Sequence, residues 1–412
     1  MLGTSVTLGD RLRGLQAALC VTAGVVISGA GGGCATLERL PAVSYAQARQ
    51  TDILNIPDAR FYVSENKQIV DLAIKAAQRR NLARGQSTSR YFLAISGGGD
   101  DGAFGAGLLV GWSDRGDRPV FDVVTGVSTG SLSAPFVFLG REYDAQLKEV
   151  YTQTTANDIY VRRPIVFAAI TGDAATDNAP LRSLIAHYVD QTMVQRIADE
   201  YSKGRLLFIL TTNLDQGRPV IWNIGAIAAS RNPSARDLIV EVLLASTSIP
   251  AVFPPVMLDV PVDGVMHQEM HVDGGTIAQA FLYPPSFSLR SVAAREGIDE
   301  KRLRESRKRS AYVIRNGRFN RPEETVRLQT IAIAKEALST MITSSGVNDT
   351  YRMYLLARRD GVEFNLASIG DDFEVPYKGP FDKGYMQSLF AYGYQKGRAG
   401  YRWQKAPPGY VN

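Results

Sequence analysis

The chain has 412 residues, of which 45% are hydrophobic and 21% charged, and its formal net charge at pH 7 is +5. This balance is typical of a globular protein with a large core, and it excludes a disordered, fibrous or repeat-built chain. The basic residues are mostly scattered, so a nucleic-acid partner is not indicated.

The first 34 residues have the order of an export signal. Arg11 and Arg13 precede an apolar stretch over residues 15–27, and a run of small residues then ends at Cys34. Because the stretch is shorter than the roughly 20 residues that span a bilayer, we predict cleavage rather than a helical anchor. Gly33-Cys34 resembles the end of a bacterial lipoprotein signal, so Cys34 is a candidate for lipidation. Secretory cleavage nearby and an uncleaved start remain alternatives.

Residues 35–86 are polar, with helical periodicity near residues 69–77, and we interpret them as an N-terminal extension. The run YFLAIS then meets SGGGDDGAFGAGLLVGW, so a buried strand is followed by a glycine loop and a helix. Gly97, Gly98 and Gly99 carry no side chains, and their N–H groups lie at the start of that helix. The loop is therefore a candidate oxyanion hole, which stabilises the negative charge formed during acyl transfer.

The glycine loop has two other interpretations. Gly97, Gly99 and Gly102 also satisfy the G-x-G-x-x-G pattern of dinucleotide sites, with Asp122 about twenty residues further on. However, the two aspartates that follow the glycines would place carboxylates where a pyrophosphate should bind. The remaining interpretation is a tight turn that packs the helix on the strand.

The same strand, turn and helix pattern recurs in VFDVVTG, VST and GSLSAPFVFL. At the turn, Gly126-Val127-Ser128-Thr129-Gly130 matches the G-x-S-x-G nucleophile elbow. Gly126 and Gly130 avoid clashes around a strained serine and leave its hydroxyl exposed at the edge of the sheet. Ser128 is thus the candidate nucleophile, and the N–H of Thr129 is a further candidate donor to the oxyanion.

The remaining elements extend the alternation of strands and helices. RLLFILTTN and PVIWNIG are predicted strands, ARDLIVEVLLAST is a predicted helix, and a strand-like run ends in MHVDGG. This alternation predicts a mostly parallel sheet covered on both faces. Residues 325–343 and 382–396 are predicted helices that cover the core. The basic run around residues 302–309 either attracts anionic lipid headgroups or is a solvated surface.

The serine needs a proton acceptor, and histidine is scarce. The three histidines are His187, His267 and His271. None of them follows Asp273, so the hydrolase order of serine, acid and histidine is excluded. A carboxylate can serve directly in a dry site, because desolvation raises its proton affinity. Asp273 is the best candidate, since Gly274 and Gly275 let the chain leave the strand sharply and approach another backbone.

The strand before Asp273 leaves alternatives open. If residues 266–273 are extended, His267, Glu269, His271 and Asp273 share one face. A metal site is one interpretation, although HQEMH lacks the spacing of the helical zinc-protease motif. A triad assisted by His271 is another, and polar residues on a solvent-facing strand are the third. Proton transfer from Ser128 to Asp273 requires no metal or cofactor, and none is predicted.

Four blocks occur in the order seen in patatin-like phospholipases. They are the loop at residues 97–99, the elbow around Ser128, ASTSIPAVFPPV at residues 245–256, and Asp273-Gly274-Gly275. The resemblance covers roughly residues 91–285 and implies a three-layer α/β/α fold with a mostly parallel central sheet. It also implies a Ser–Asp dyad, with Ser128 as nucleophile and Asp273 as general base. The family usually has arginine or lysine where this chain has Asp101.

The predicted function is that of a serine lipid acyl hydrolase that acts through an acyl-enzyme on a lipid or acyl ester. A bacterial exported branch with GGG-x-x-GAFGAG and an ending like FDKGYMQSLFAYGY looks similar, which implies the cell envelope and a membrane surface. The predicted domains are a signal (1–34), an extension (35–86), a catalytic domain (87–320) and a C-terminal helical region (321–412). The alternative is a non-catalytic envelope lipoprotein that binds lipid or a protein partner.

Overall fold

The computed structural model describes residues 39–64, 66–84, 89–162, 174, 176–320 and 325–410. Apart from Arg39, these residues belong to one compact unit formed by Leu40–Arg163 and Asp173–Asn412. The other unit, Met1–Arg39 with Pro164–Gly172, contains Arg39 as its one described residue. The predicted export signal and Cys34 lie outside the described residues. Within the described ranges, no helix is long and apolar enough to cross a bilayer.

The sheet has a parallel centre and antiparallel additions. The described strands are β1 (Arg60–Tyr62), β2 (Ser89–Ile95), β3 (Val123–Val127), β4 (Val161–Arg162), β5 (Thr176–Asp177), β6 (Leu206–Asn213), β7 (Arg218–Asn223), β8 (Val256–Val262), β9 (Val265–Asp273), β10 (Lys308–Arg315) and β11 (Glu363–Ser368). In the main sheet, the order is β1-β7-β6-β3-β2-β10-β11. Strands β6, β3, β2, β10 and β11 run parallel to one another. The pairs β1–β7, β6–β7, β6–β9 and β8–β9 are antiparallel.

Helices flank this sheet. They are α1 (Tyr45–Ala48), α2 (Asn66–Arg84), α3 (Gly102–Arg115), α4 (Thr129–Leu139), α5 (Asp144–Gln153), α6 (Ala156–Ile159), α7 (Ala179–Tyr188), α8 (Gln191–Ser202), α9 (Ile224–Ala229), α10 (Ala235–Thr247), α11 (Leu289–Glu296), α12 (Glu300–Glu305), α13 (Thr330–Arg359) and α14 (Lys383–Ala399). A mixed sheet with parallel central strands and flanking helices confirms the predicted α/β/α class. The centre is apolar on both faces, as expected of parallel strands covered by helices.

Helices α3 and α14 pack with their backbones in close contact. A Cβ atom added at Gly107 would lie 2.1 Å from the carbonyl oxygen of Phe390, and one at Gly393 would lie 2.3 Å from that of Phe104. Glycine at these positions therefore lets the two helices approach closely. Because α3 begins directly after the glycine loop, this contact fixes the C-terminal helix beside the predicted oxyanion hole.

The two ends of the chain contribute strands as well as helices. β1 pairs with β7 at one edge of the sheet, and β11 pairs with β10 at the other. Helix α13 is longer than predicted, since it continues from residue 343 to Arg359. Gly346 lies beyond the predicted end and stays helical. Its lack of a side chain leaves room for that of Arg315, because a Cβ there would lie 2.2 Å from Nη1 of Arg315. A tertiary contact thus overrides the local signal.

Candidate active site

Ser128 occupies a strained turn between β3 and α4. Its backbone angles are φ 54° and ψ −127°, a combination that residues with side chains seldom adopt. A Cβ at Gly126 would lie 2.5 Å from the carbonyl oxygen of Gly130, and a Cβ at Gly130 would lie 2.3 Å from that of Ile95. Both glycines of the motif are therefore required by the close packing of this turn.

A buried serine on α10 holds the nucleophile turn in place. The N–H of Ser128 donates to Oγ of Ser246 at 3.1 Å, and the Ser246 hydroxyl donates to the carbonyl oxygen of Leu210 at 2.7 Å. Ser246 is completely buried, so water does not compete for these bonds. The sequence placed Ser246 in a block shared with the patatin-like family but gave no signal for this role.

The sheet brings Asp273 close to Ser128, the candidate nucleophile, from 145 residues further along the chain. Val127 pairs with Leu210 on β6, and the next residue of β6, Thr211, pairs with Asp273 at the end of β9. Adjacent strands lie about 4.8 Å apart, so the two side chains emerge from one edge of the sheet within reach of each other. The Ser128 hydroxyl lies near enough to the Asp273 carboxyl to lower its pKa. The structure therefore brings the two predicted residues together.

The surroundings of Asp273 favour its protonated form. Burial raises the pKa of its carboxyl from 3.8 to about 7, against the opposing effect of hydrogen bonds from Ser128 and Gly275. The Gly275 N–H donates to Oδ1 at 2.6 Å, and only 4% of Asp273 is exposed. A pKa near neutrality suits a general base, because the ionised form is present at pH 7 and still binds a proton well.

The three glycines of the loop have different roles. The N–H of Gly97 donates to the carbonyl oxygen of Gln279 at 2.9 Å, so it is not available to an oxyanion. Gly97 instead provides clearance, because a Cβ there would lie 3.2 Å from Cβ of Ser128. No acceptor among the described residues takes the N–H of Gly98 or Gly99. The available donors are therefore Gly98, Gly99 and Thr129, the last being the first residue of α4, where N–H groups lack intrahelical acceptors.

Two buried residues, Ser96 and Asn316, fix the glycine loop. The Ser96 hydroxyl donates to the carbonyl oxygen of Gly97 at 2.7 Å and accepts the Asn316 N–H at 2.8 Å. The amide of Asn316 also donates to the Ser96 carbonyl oxygen at 2.9 Å. Gly98 has φ 152°, and a Cβ there would lie only 2.1 Å from the Asn316 carbonyl oxygen. Only glycine fits this position, and nothing in the local sequence identified Asn316.

Asp100 and Asp101, which follow the glycine loop, bind the C-terminal segment. Asp100 Oδ2 accepts the Phe381 N–H at 3.0 Å, and Asp101 Oδ1 accepts the Tyr385 hydroxyl at 2.7 Å. Burial raises the pKa of Asp101 to about 7, although the Tyr385 hydrogen bond and nearby arginines oppose the shift. These carboxylates therefore join the start of α3 to the segment that leads into α14.

The dinucleotide interpretation does not fit this arrangement. Asp122 lies just before β3, at the end of the strand opposite Ser128, and it is buried. It pairs with Arg80 and accepts the Tyr91 N–H at 2.8 Å. A ribose-binding acid must lie at the carboxyl edge of the sheet, where the nucleotide binds. Asp122 has a structural role instead.

The expectation of a solvent-facing strand was wrong for His271 and Glu269, which are completely buried. Glu269 Oε2 lies 2.5 Å from Nη1 of Arg60 and 3.1 Å from Nε2 of His271. Nδ1 of His271 lies 2.9 Å from Oγ1 of Thr211. Both ring nitrogens are thus occupied away from Ser128, which argues against a His271-assisted triad. The arrangement arises because β1, from the N-terminal extension, carries Arg60 to the sheet.

The remaining histidines lie away from the serine. His187 is exposed on α7, and His267 is half-buried on β9, where its Nδ1 lies 3.1 Å from the Val265 carbonyl oxygen. Among the residues that the structure describes, no group of three or more histidine, cysteine, aspartate or glutamate side chains can hold a metal ion.

Comparison with known proteins gives a family match for part of the chain. The sequence model of the patatin-like phospholipase family matches residues 93–283, which include the glycine loop, the elbow and Asp273. No curated protein matches the chain by sequence. Among solved structures, VipD from Legionella pneumophila is similar, with 10% identity and a TM-score of 0.33, covering 76% of this chain and 67% of that chain. On the family match, residues 93–283 of this chain are a patatin-like phospholipase domain.

Proposed function

We propose that this chain is a lipid acyl hydrolase in which Ser128 attacks an acyl ester and Asp273 accepts the serine proton. The observation that carries the proposal is that paired strands place the buried carboxyl of Asp273 beside the turn that holds Ser128. Burial also raises the pKa of that carboxyl to about 7. As Oγ bonds to the ester carbon, its proton passes to Asp273. The carbonyl oxygen becomes an oxyanion, for which the N–H groups of Gly98, Gly99 and Thr129 are the proposed donors.

The second half of the proposed reaction reuses the same groups. The tetrahedral adduct collapses, the ester C–O bond breaks, and the leaving alkoxide takes the proton held by Asp273. The carboxylate then accepts a proton from water as the water attacks the acyl-Ser128 ester. The free fatty acid leaves and Ser128 recovers its proton, so no metal or cofactor enters any step.

A small apolar cavity beside the nucleophile helix supports a lipid rather than a polar ester. It has a volume of about 30 Å³, and one of its lining residues is Leu132, one turn of α4 beyond Ser128. Its other lining residues are almost all aliphatic or aromatic, among them Pro135, Phe136, Leu181 and Leu243. The volume holds about two water-sized spheres, so the cavity must widen to receive an acyl chain. The family match over residues 93–283 supports the same class, since patatin-like phospholipases act on lipids.

Labelling with a fluorophosphonate, which phosphonylates activated serines, tests the proposal. We expect the wild-type protein to be labelled, Ser128→Ala not to be labelled, and Asp273→Asn to be labelled at least about a hundredfold more slowly, the contribution typical of a general base. Ser202→Ala, the same change at an exposed helix end, should behave as the wild type. Labelling that persists in Ser128→Ala contradicts the proposal. Absence of labelling in a folded wild type favours the non-catalytic lipid-binding alternative.

The proposed place of action is the cell envelope. This part of the proposal depends on the sequence of the first 34 residues, which lie outside the described range. Metabolic labelling with palmitate, compared between the wild type and Cys34→Ala, tests whether Cys34 carries the lipid.

A further inference from the structure

The first half of helix α13 turns its polar side toward the protein and its apolar side to solvent. The residues that face the protein recur at helical spacing and are small or polar: Ala332, Glu336, Ser339, Thr343 and Gly346. The opposite side, here named the outer face, consists of Ile333, Leu338, Met341 and Ile342, which are 47%, 45%, 69% and 37% exposed. A surface helix of a soluble protein normally points its apolar stripe at the core. The orientation here is inverted.

The outer face is broad and carries little charge. At 3.6 residues per turn, Ile333 and Ile342 lie about 180° apart around the helix, so the face covers roughly half of the circumference. Between residues 330 and 343 the only charged residues are Lys335 and Glu336. Val326 and Leu328, just before the helix, are also exposed, at 45% and 95%. Contiguous exposed apolar surface of this kind marks a site of interaction.

The outer face begins beside the candidate active site. Gly346 packs against Arg315 and Gln279, with an added Cβ 2.2 Å from Arg315 Nη1 and 3.4 Å from Gln279 Cβ. Gln279 in turn accepts the Gly97 N–H and donates its own N–H to Asp349 of α13 at 2.6 Å. From Ile342 to Ile333 the helix extends about 14 Å, at 1.5 Å per residue. The apolar face therefore leads away from the rim of the site.

We propose that the outer face of α13 docks the protein onto the surface of a lipid bilayer. The inference rests on the proposed function and deepens it, because it makes an aggregated lipid the form in which the ester reaches Ser128. Helices that lie at a bilayer interface bury an apolar face about 5–10 Å deep, a depth that the side chains of the outer face can fill. Since the face carries few charges, docking depends on apolar burial and not on anionic headgroups.

Cosedimentation with phosphatidylcholine vesicles tests the proposal, with the full chain carrying Ser128→Ala so that lipid is not consumed. We expect binding that changes little between low and high salt. Leu338→Asp combined with Met341→Asp should lower the vesicle partition coefficient at least about tenfold, since each side chain loses its burial in the bilayer. Leu82→Asp, the same kind of change at an exposed position of α2, should leave binding unchanged. Met341→Asp alone should give an intermediate loss of vesicle binding. This single variant replaces the double variant in the test if the double variant does not fold.

Two further measurements separate the outcomes. With Ser128 intact, the double variant should lose activity on vesicles while hydrolysis of a soluble short-chain ester keeps its rate, because that substrate does not need the outer face. Equal vesicle binding by the double variant and its parent overturns the inference. The inference is also overturned if sedimentation equilibrium shows that the substitutions dissociate a dimer while vesicle binding is unchanged. That result assigns the outer face to contact with a second copy of the chain. If vesicle binding depends on the outer face but no ester is turned over, the proposed function is overturned. The docking inference then still holds.

Discussion

Replacing Asp273 with asparagine separates the proposed catalytic role of this residue from its effect on stability. Asparagine has nearly the same shape, and its Oδ1 can still accept the Gly275 N–H, now 2.6 Å from the aspartate. The change removes the negative charge and with it the proton acceptor of Ser128. We therefore expect activity to fall by at least about a hundredfold while the free energy of unfolding rises at neutral and alkaline pH.

The size of the stability change follows from the pKa of Asp273. Burial raises that pKa from 3.8 to about 7, so the folded protein keeps a proton that the unfolded chain has lost between these two pH values. The free energy of unfolding of the wild type must then fall as pH rises through this window. The pKa difference, at about 1.4 kcal/mol per pH unit, amounts to about 4 kcal/mol above pH 7. Relaxation around the ionised carboxylate reduces this, and we expect Asp273→Asn to gain about 2–4 kcal/mol.

Denaturant unfolding followed by tryptophan fluorescence, at a pH near 4 and at a pH above 8, measures the effect. The gain for Asp273→Asn should be absent near pH 4, where the wild-type carboxyl is protonated in the folded protein. Asp263→Asn, the same change in the exposed β8–β9 turn, is the matched control and should show no such dependence. In the wild type, kcat/KM should rise with pH through about 7 as Asp273 ionises. An Asp273→Asn gain of equal size at both pH values would refute the reasoning.

Two further substitutions test the surroundings of the site. Ser246→Ala removes the acceptor of the Ser128 N–H, so the turn at Ser128 is held less firmly. We expect kcat for ester hydrolysis to fall about tenfold with little change in KM, and an unchanged kcat contradicts this positioning role. Glu269→Gln leaves the Arg60 guanidinium buried without its charged partner and should lower the free energy of unfolding, measured by denaturant titration, by about 3 kcal/mol. Glu305→Gln, in the exposed pair with Lys301, should change it by less than about 1 kcal/mol.

The sequence predicted the parts of the site whose geometry is set locally. The G-x-S-x-G motif sits in a strand-turn-helix context, and its glycines are needed because Cβ atoms would collide with backbone a few residues away. Asp273 was predicted from the scarcity of histidine and from the two glycines that follow it. The family resemblance placed these blocks in one domain. Such features depend on short stretches of chain, so they can be predicted without knowledge of the tertiary fold.

What the sequence did not predict depends on contacts between distant segments. Gln279 takes up the Gly97 N–H, and Asn316 fixes the loop around Gly98, although neither belongs to a recognisable motif. His271 is buried because Arg60, more than two hundred residues earlier, neutralises the glutamate beside it. Each contact arises where the sheet order brings together strands far apart in sequence. A motif can therefore identify the candidate reacting residues. The groups that orient these residues and set the charges around them can be identified only when the strand order is known.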